Sequence, residues 1–167
     1  NPAVGDVSIS CHSTTDSSAL VVAASYTTSD VYIYTSGITC AYSNNGYTQC
    51  CGTATTIVID ASVVNIGSQA FRQCDTVSTV DFSSASALLT IDELAFYCGG
   101  YRTLLASVDM SGAKQLATVG TNAFYNCPTL ASVKLASGIT TIGNYAFFST
   151  DLNTTATVDF NGVNCAT

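Results

Sequence analysis

The stretch "IGSQAFRQC", Ile66–Cys74, recurs almost unchanged as "VGTNAFYNC", Val119–Cys127. Two looser copies are "IDELAF", which begins at Ile91, and "IGNYAF", which begins at Ile142. In every copy a β-branched residue stands five positions before a phenylalanine. A phrase repeated with fixed internal spacing is the signature of a repeat architecture, in which each copy forms one structural unit.

The spacing of the copies indicates the kind of unit. The phenylalanines of the four copies are Phe71, Phe96, Phe124 and Phe147, so they recur every 23 to 28 residues. Periods of roughly 20 to 29 residues are typical of units that contribute one short strand each, and most helical repeats are longer. We therefore expect stacked units, because a single unit of this size cannot bury its apolar side alone.

The residues between the phrases have the pattern of short strands. Each phrase is followed by an apolar-x-apolar run, and these runs end at Phe82, Met110, Leu135 and Phe160. A further run, "TTIVI" at residues 55–59, precedes the first phrase. Because side chains alternate along a strand, the two apolar residues of each run are predicted to point into the core. The pattern predicts one parallel strand per unit.

A unit that runs Leu-x-x-Val-x-Leu and then Ile-Gly-x-x-Ala-Phe-x-x-Cys resembles the BspA-type leucine-rich repeat. The resemblance covers about four units, residues 55–160, and implies a mainly β solenoid with short helical turns. Residues 1–54 lack the phrase and are rich in cysteine and tyrosine. We expect them to form a disulfide-stapled β cap, because a solenoid needs its first rung covered. Residues 161–167 make a short C-terminal segment.

Composition limits the partners and the compartment. Four basic residues against 11 acidic ones give a net charge of -7, which argues against nucleic acid. No apolar run is long enough to span a membrane, and Asn1 starts no basic, apolar leader, so we expect a mature or trimmed product. Eight cysteines indicate an oxidising, extracellular or cell-surface location. The tripeptide "NTT" makes Asn153 a candidate glycosylation site.

The cysteines of the predicted cap allow two connectivities. Pairing of the adjacent Cys50 and Cys51 is disfavoured by ring strain. Cys11 then pairs with Cys50 and Cys40 with Cys51, or Cys11 pairs with Cys51 and Cys40 with Cys50. The sequence does not choose between them.

The cysteines of the repeats have two interpretations. Cys74, Cys98 and Cys127 are expected near one another on successive units, where parallel side-chain directions argue against an easy disulfide. They are either buried thiols that act as small apolar residues or halves of staples. Cys165 is a candidate partner for Cys127.

Catalytic and metal-binding patterns are missing from the sequence. His12 is the single histidine, no C-x-x-C spacing occurs, and there is no nucleophile elbow, phosphate loop or dinucleotide fingerprint. We therefore expect a protein that is not an enzyme and holds no cofactor.

Outward-facing positions of the strands form two predicted columns, which together are a candidate interaction face. The hydroxyl column contains Thr56, Thr79, Ser107, Ser132 and Thr157. The charged column contains Asp81, Asp109, Lys134 and Asp159. A solvated charge ladder is the favoured interpretation of the second column over a calcium site, and its alternating charges disfavour ice binding.

The residues that follow the phenylalanines of the later phrases are Tyr97, Tyr125 and Phe148. If exposed, they form an aromatic contact patch on the convex side of the kind that protein interfaces favour, and otherwise they cover the wall of the solenoid.

The leading functional hypothesis is a non-catalytic extracellular or surface protein that works through protein contacts, as the resemblance to BspA-type surface and adhesion proteins also implies. The segment "NGVNCAT" is too short to cover the last unit, so copies are expected to assemble head to tail into a filament. The alternative is a soluble binder of carbohydrate, calcium or ice that uses the hydroxyl and charged columns.

Overall fold

The computed structural model describes residues 30–38, 40, 51–99 and 103–152, and the backbone of residues 158–159. These residues contain ten short strands and no helix. The strands are β1 Val31–Tyr34, β2 Thr56–Ile59, β3 Asn65–Ile66, β4 Thr79–Asp81, β5 Thr90–Ile91, β6 Ser107–Asp109, β7 Thr118–Val119, β8 Ser132–Lys134, β9 Thr141–Ile142 and β10 Val158–Asp159.

The longer strands form one parallel sheet in the order β1-β2-β4-β6-β8-β10. Successive units add neighbouring strands in register, as in the pairing of Val108 with Val133. The inward residues Val80, Phe82, Val133 and Leu135 are buried, as the period-two pattern predicts. The expected solenoid with one parallel strand per repeat in this sheet is confirmed. We number its rungs 1 to 4 by the four phrases.

The β1 strand lies inside the segment predicted to be a cap. It pairs in parallel with β2, so it continues the sheet of the repeats. Its side chains Tyr32 and Tyr34 are buried, and the Tyr34 ring meets the ring of Phe71 edge-on at 5.0 Å between centroids. Tyrosine rings therefore cover the aromatic core of rung 1. The boundary at residue 54 stays a prediction.

A second parallel sheet, in the order β3-β5-β7-β9, was not predicted from the sequence. Each of its strands has two residues, and its second residue is the β-branched residue that opens a phrase. The sequence signal is the threonine that precedes this residue in rungs 2 to 4, at Thr90, Thr118 and Thr141. Two-residue strands are too short to show alternation, so their pairing is visible only once the rungs are stacked.

The second half of each phrase is a hydrogen-bonded turn rather than the short helical turn that was expected. The residue before the alanine has a left-handed backbone in all four rungs, with φ from 55° to 60°, at Gln69, Leu94, Asn122 and Tyr145. Alternate backbone N–H groups then donate to the next rung. The Phe71 N–H donates to the Ala95 carbonyl at 2.7 Å, and the Phe96 N–H donates to the Ala123 carbonyl at 2.8 Å.

The phenylalanines of the phrases form the centre of the core. Phe71, Phe96 and Phe124 are buried, and Phe147 packs against the same cluster. Their rings stack nearly parallel, with centroid separations of 5.1, 5.0 and 5.3 Å from one rung to the next. Stacked, offset rings contribute about 0.5–1.5 kcal/mol per pair beyond the burial of their surface.

Disulfides join neighbouring units, and the pairings predicted for Cys51 and Cys127 are wrong. Cys51 bonds Cys74, and Cys98 bonds Cys127, with Cα–Cα distances of 5.9 and 4.9 Å. These bonds exclude both connectivities proposed for the cap, the pairing of Cys127 with Cys165, and buried free thiols in the repeats.

The reason for the error is that Cys98 comes two residues after its phenylalanine and Cys127 three after its own. The two are therefore not register neighbours with parallel side chains, and they can face each other. Cys40 is also disulfide-bonded. Cys11, Cys50 and Cys165 lie outside the described residues.

Aspartates end or directly follow three strands of the large sheet. One carboxylate oxygen of Asp60, Asp81 and Asp109 accepts a hydrogen bond from the backbone N–H two residues on, at 2.9, 2.8 and 2.9 Å. Such turns are a common use of aspartate at the end of a strand, and the signal is the recurring Asp-x-Ser. The Asp81 and Asp109 carboxylates of the charged column thus hold the turns that follow their strands.

The first prediction concerns the Cys98–Cys127 bond. Replacing both cysteines with serine should lower the free energy of unfolding by about 3–4 kcal/mol, because the bond closes a loop with a sequence separation of 29 residues. Urea unfolding of the variant and the wild type measures the difference. An unchanged midpoint and slope would contradict a stabilising role.

The second prediction concerns the close stacking of the rungs. A Cβ added at Gly120 of rung 3 would lie 2.7 Å from the carbonyl carbon of Asp92 in rung 2. A Cβ added at Gly67 would meet nothing within 4 Å. Gly120→Ala should therefore destabilise the fold by about 1–3 kcal/mol. Gly67→Ala, at the same position of its phrase, is the matched control and should change stability by less than about 0.5 kcal/mol. Equal losses in thermal unfolding would refute this explanation.

The third prediction concerns the stability of the fold at acidic pH. Hydrogen bonds from Ser62 lower the pKa of Asp60. Partial burial raises the pKa of Asp109, but hydrogen bonds from Ser111 and the nearby Lys134 outweigh it, so the net pKa lies below the ordinary value. Both carboxylates therefore stabilise the fold above the unfolded pKa of about 3.9, and this contribution is lost as the pH falls through their folded values.

A variant with Asp60→Asn and Asp109→Asn keeps the acceptor oxygens but lacks the charges. Between about pH 5 and pH 2 it should lose less stability than the wild type, measured by urea unfolding at each pH. Glu93→Gln removes an exposed carboxylate elsewhere and is the control. Identical pH dependence of the double variant and the wild type would contradict the assignment.

Candidate interaction surfaces

The large sheet places the predicted hydroxyl residues in one line. Thr56 is the register partner of Thr79, and Ser107 is the partner of Ser132. Thr79 and Ser107 are exposed, and Thr157 lies outside the described residues. The residues therefore form a column, and its role in binding stays a prediction.

The charged column also forms as predicted by the register. Asp81 pairs with Asp109, Asp109 with Lys134, and Lys134 with Asp159. The Lys134 ammonium lies 3.5 Å from a carboxylate oxygen of Asp109, and both side chains are exposed. Such a pair contributes about 0–1 kcal/mol. The described residues contain no group of three or more side chains that could hold a metal ion.

A second polar column, missed in the sequence, runs along the short sheet. It consists of Asn65, Thr90, Thr118 and Thr141, which are register partners. The Thr90 hydroxyl donates to the side-chain oxygen of Asn65 at 2.9 Å. This column carries no charge, and the exposed Val64 and Leu89 lie beside its first two members. This bond between Thr90 and Asn65 links rung 2 to rung 1.

The predicted aromatic patch is a stacked column that begins with a cation. The guanidinium carbon of Arg72 lies 4.8 Å from the centroid of the Tyr97 ring. Tyr97 stacks on Tyr125 at 5.9 Å, and Tyr125 stacks on Phe148 at 5.5 Å, with interplanar angles of 11° and 15°. Because the ring faces cover one another, the column presents ring edges outward. It is therefore a narrow apolar ridge and offers few free faces to a flat ligand.

The fourth rung exposes apolar side chains that are covered in the other rungs. Ile142 is 41% exposed, whereas its equivalent in rung 1, Ile66, is 0% exposed. Tyr145 and Phe148 are 64% and 53% exposed and pack edge to face at 5.6 Å. We call these three residues of rung 4 the end surface. Buried tyrosines thus cover the core at rung 1, whereas large apolar side chains are exposed at rung 4.

The end surface could not be found from the sequence alone. Ile142 and Tyr145 occupy phrase positions that are buried or half-buried in the preceding rung. No described phrase lies beyond rung 4, so their exposure follows from their position in the stack and not from their residue type. The described residues also contain no long apolar helix of the kind that crosses a membrane.

The fold has a similar solved structure. The crystal structure of the T. pallidum leucine-rich repeat protein TpLRR is 25% identical in sequence and superposes with a TM-score of 0.51 over 57% of this chain. The matched part spans 41% of that protein's chain, so the chain corresponds to less than half of its solved relative. No curated protein matches the sequence.

The family comparison agrees with the repeat geometry. The BspA type leucine rich repeat region matches residues 42–162 in 6 copies, and it begins inside the segment predicted to be a cap. Leucine-rich repeats are typically non-enzymatic scaffolds that mediate protein–protein interaction through the surface that stacked repeats create. Since the match covers most of the 167 residues and the structure has the stacked rungs, the chain belongs to the BspA-type leucine-rich repeat family.

Proposed function

We propose that the protein is a non-catalytic extracellular or cell-surface scaffold that acts in adhesion or structure through protein contacts, including head-to-tail contacts between its own copies. The observation that carries the proposal is the end surface, where three large apolar side chains are exposed together on one rung. Clustered exposed apolar residues with aromatic rings are typical of protein interaction sites.

The aromatic column supports the same function. It leads from the half-buried Tyr97 and Tyr125 to the exposed Phe148, so it is continuous with the end surface. Tyrosine and phenylalanine bury a large area with few rotatable bonds, which favours them at interfaces. The disulfides between rungs support an oxidising, extracellular location.

The hydroxyl and charged columns give weaker support to binding of carbohydrate, calcium or ice. Asp81 and Asp109 each use one carboxylate oxygen in a strand-ending turn, and Asp109 also pairs with Lys134. A calcium ion takes six to eight oxygen ligands, and these two carboxylates supply few that remain available. Protein contact is therefore the function that the geometry favours.

The fourth prediction tests self-association. A variant with Tyr145→Ser and Phe148→Ser should weaken the association of copies at least about tenfold, because each truncation removes a large apolar contact. Light scattering across a range of protein concentrations measures it. Leu104→Ser is the control, since Leu104 is 56% exposed but lies outside the end surface and the aromatic column.

A monodisperse wild-type monomer at high concentration would refute head-to-tail assembly. Equal weakening by Leu104→Ser would show that general surface hydrophobicity, and not the end surface, causes association.

A further inference from the structure

The contact between rungs 3 and 4 shows how one rung binds the next. Three backbone N–H groups of rung 3, at alternate residues, donate to three carbonyls of rung 4. The bonds run from Asn122, Phe124 and Asn126 to Asn144, Ala146 and Phe148, at 2.9, 2.7 and 2.8 Å. In the short sheet the direction is opposite, since the Val119 carbonyl accepts from the Gly143 N–H at 2.7 Å. Ring stacking of Phe124 on Phe147 completes the contact.

Rung 4 repeats the same set of backbone groups. Tyr145, Phe147 and Ser149 are the equivalents of the three donors, and their N–H groups have no acceptor among the described residues. The φ angles of Tyr145 and Ser149, 58° and 57°, match the 55° and 58° of their equivalents in rung 3. The backbone of rung 4 therefore points these three N–H groups in the direction in which the equivalent N–H groups of rung 3 point toward rung 4.

The carbonyl of Ile142 completes this set. It is the equivalent of the Val119 carbonyl, and no described residue donates to it. Rung 4 thus offers three donors, one acceptor and exposed apolar side chains, in the arrangement that binds one rung to another elsewhere in the chain. A row of unpaired backbone groups at the end of a sheet is a ready site for a further strand.

We propose that rung 4 is a docking site for a segment of a protein partner that folds like the phrase and adds to the solenoid as a further rung. The segment supplies carbonyls at alternate residues to the N–H groups of Tyr145, Phe147 and Ser149, and an N–H to the carbonyl of Ile142. Its apolar or aromatic side chains cover the end surface. This inference rests on the proposed function and names the surface and the kind of partner that it uses.

The polarity of the backbone selects a phrase-like segment over a symmetric pair of copies. Two copies that met rung 4 to rung 4 would face one row of donors with another, and both rows would stay unpaired. A phrase-like segment presents carbonyls at every second residue, as Asn144, Ala146 and Phe148 do in rung 4, so it can satisfy them. The existing contact between rungs 3 and 4 shows that such a row is bound by acceptors at alternate positions.

The probe for the experiment is a synthetic peptide that copies residues 139–150, "ITTIGNYAFFST", the segment that makes this contact with rung 3. The full chain, labelled with ¹⁵N, is mixed with unlabelled peptide, and amide hydrogen exchange is followed by NMR. Exchange at Tyr145, Phe147 and Ser149 should slow about tenfold when the free peptide is at ten times its Kd. A peptide of the same composition in scrambled order is the control.

A protein variant provides a second measurement. Tyr145→Ser with Phe148→Ser should raise the Kd of the peptide at least about tenfold, whereas Leu104→Ser should leave it unchanged. The amides of Asn122, Phe124 and Asn126, already paired between rungs 3 and 4, should keep their exchange rates.

Three results would overturn the inference. If the three amides of rung 4 are protected without peptide to the same extent at every protein concentration, another part of the chain already occupies the site. If the peptide binds but slows amide exchange only at Tyr97 and Tyr125, the aromatic column is the contact. The proposed function then stands without this docking site. If the peptide does not bind and the protein is a monodisperse monomer, both proposals fail.

Discussion

The structure depends on the contact by which each rung lies on the next. Alternate backbone N–H groups of a phrase donate to the following rung, and residues with left-handed backbone, such as Gln69 and Asn122, aim these groups. The same contact sets a tight spacing. At Gly120 the backbone of rung 2 lies where a side chain would begin, so rung 3 needs glycine there for lack of space.

The surfaces of the protein follow from this stacking. Any position of the repeat becomes a column, so that one kind of residue is repeated along the solenoid as hydroxyls, charges or aromatic rings. The columns differ in what their side chains are free to do. Asp81 and Asp109 end strands, whereas Tyr97, Tyr125 and Phe148 stack into a ridge that continues to the end surface.

The two ends of the described solenoid are chemically different. Tyr32 and Tyr34 cover the ring of Phe71 at the first rung. At rung 4 the backbone N–H groups of Tyr145, Phe147 and Ser149 have no acceptor among the described residues, and the Ile142 side chain is exposed. A stack of this kind has a direction, because donors of the turns point one way and carbonyls the other. Contacts at its end are therefore expected to be heterologous.

The sequence by itself determined the repeat, the parallel strands and the buried residues, because the phrase has a fixed internal spacing and the strands alternate with period two. It also placed Asp81, Asp109 and Lys134 in one column, since register follows from equal positions in the repeat. Only the tertiary structure decided the disulfides, the short second sheet and the end surface. The offset that lets Cys98 face Cys127, the pairing of two-residue strands, and the exposure of Ile142 all arise between rungs, and a local pattern carries no information about the distance between rungs.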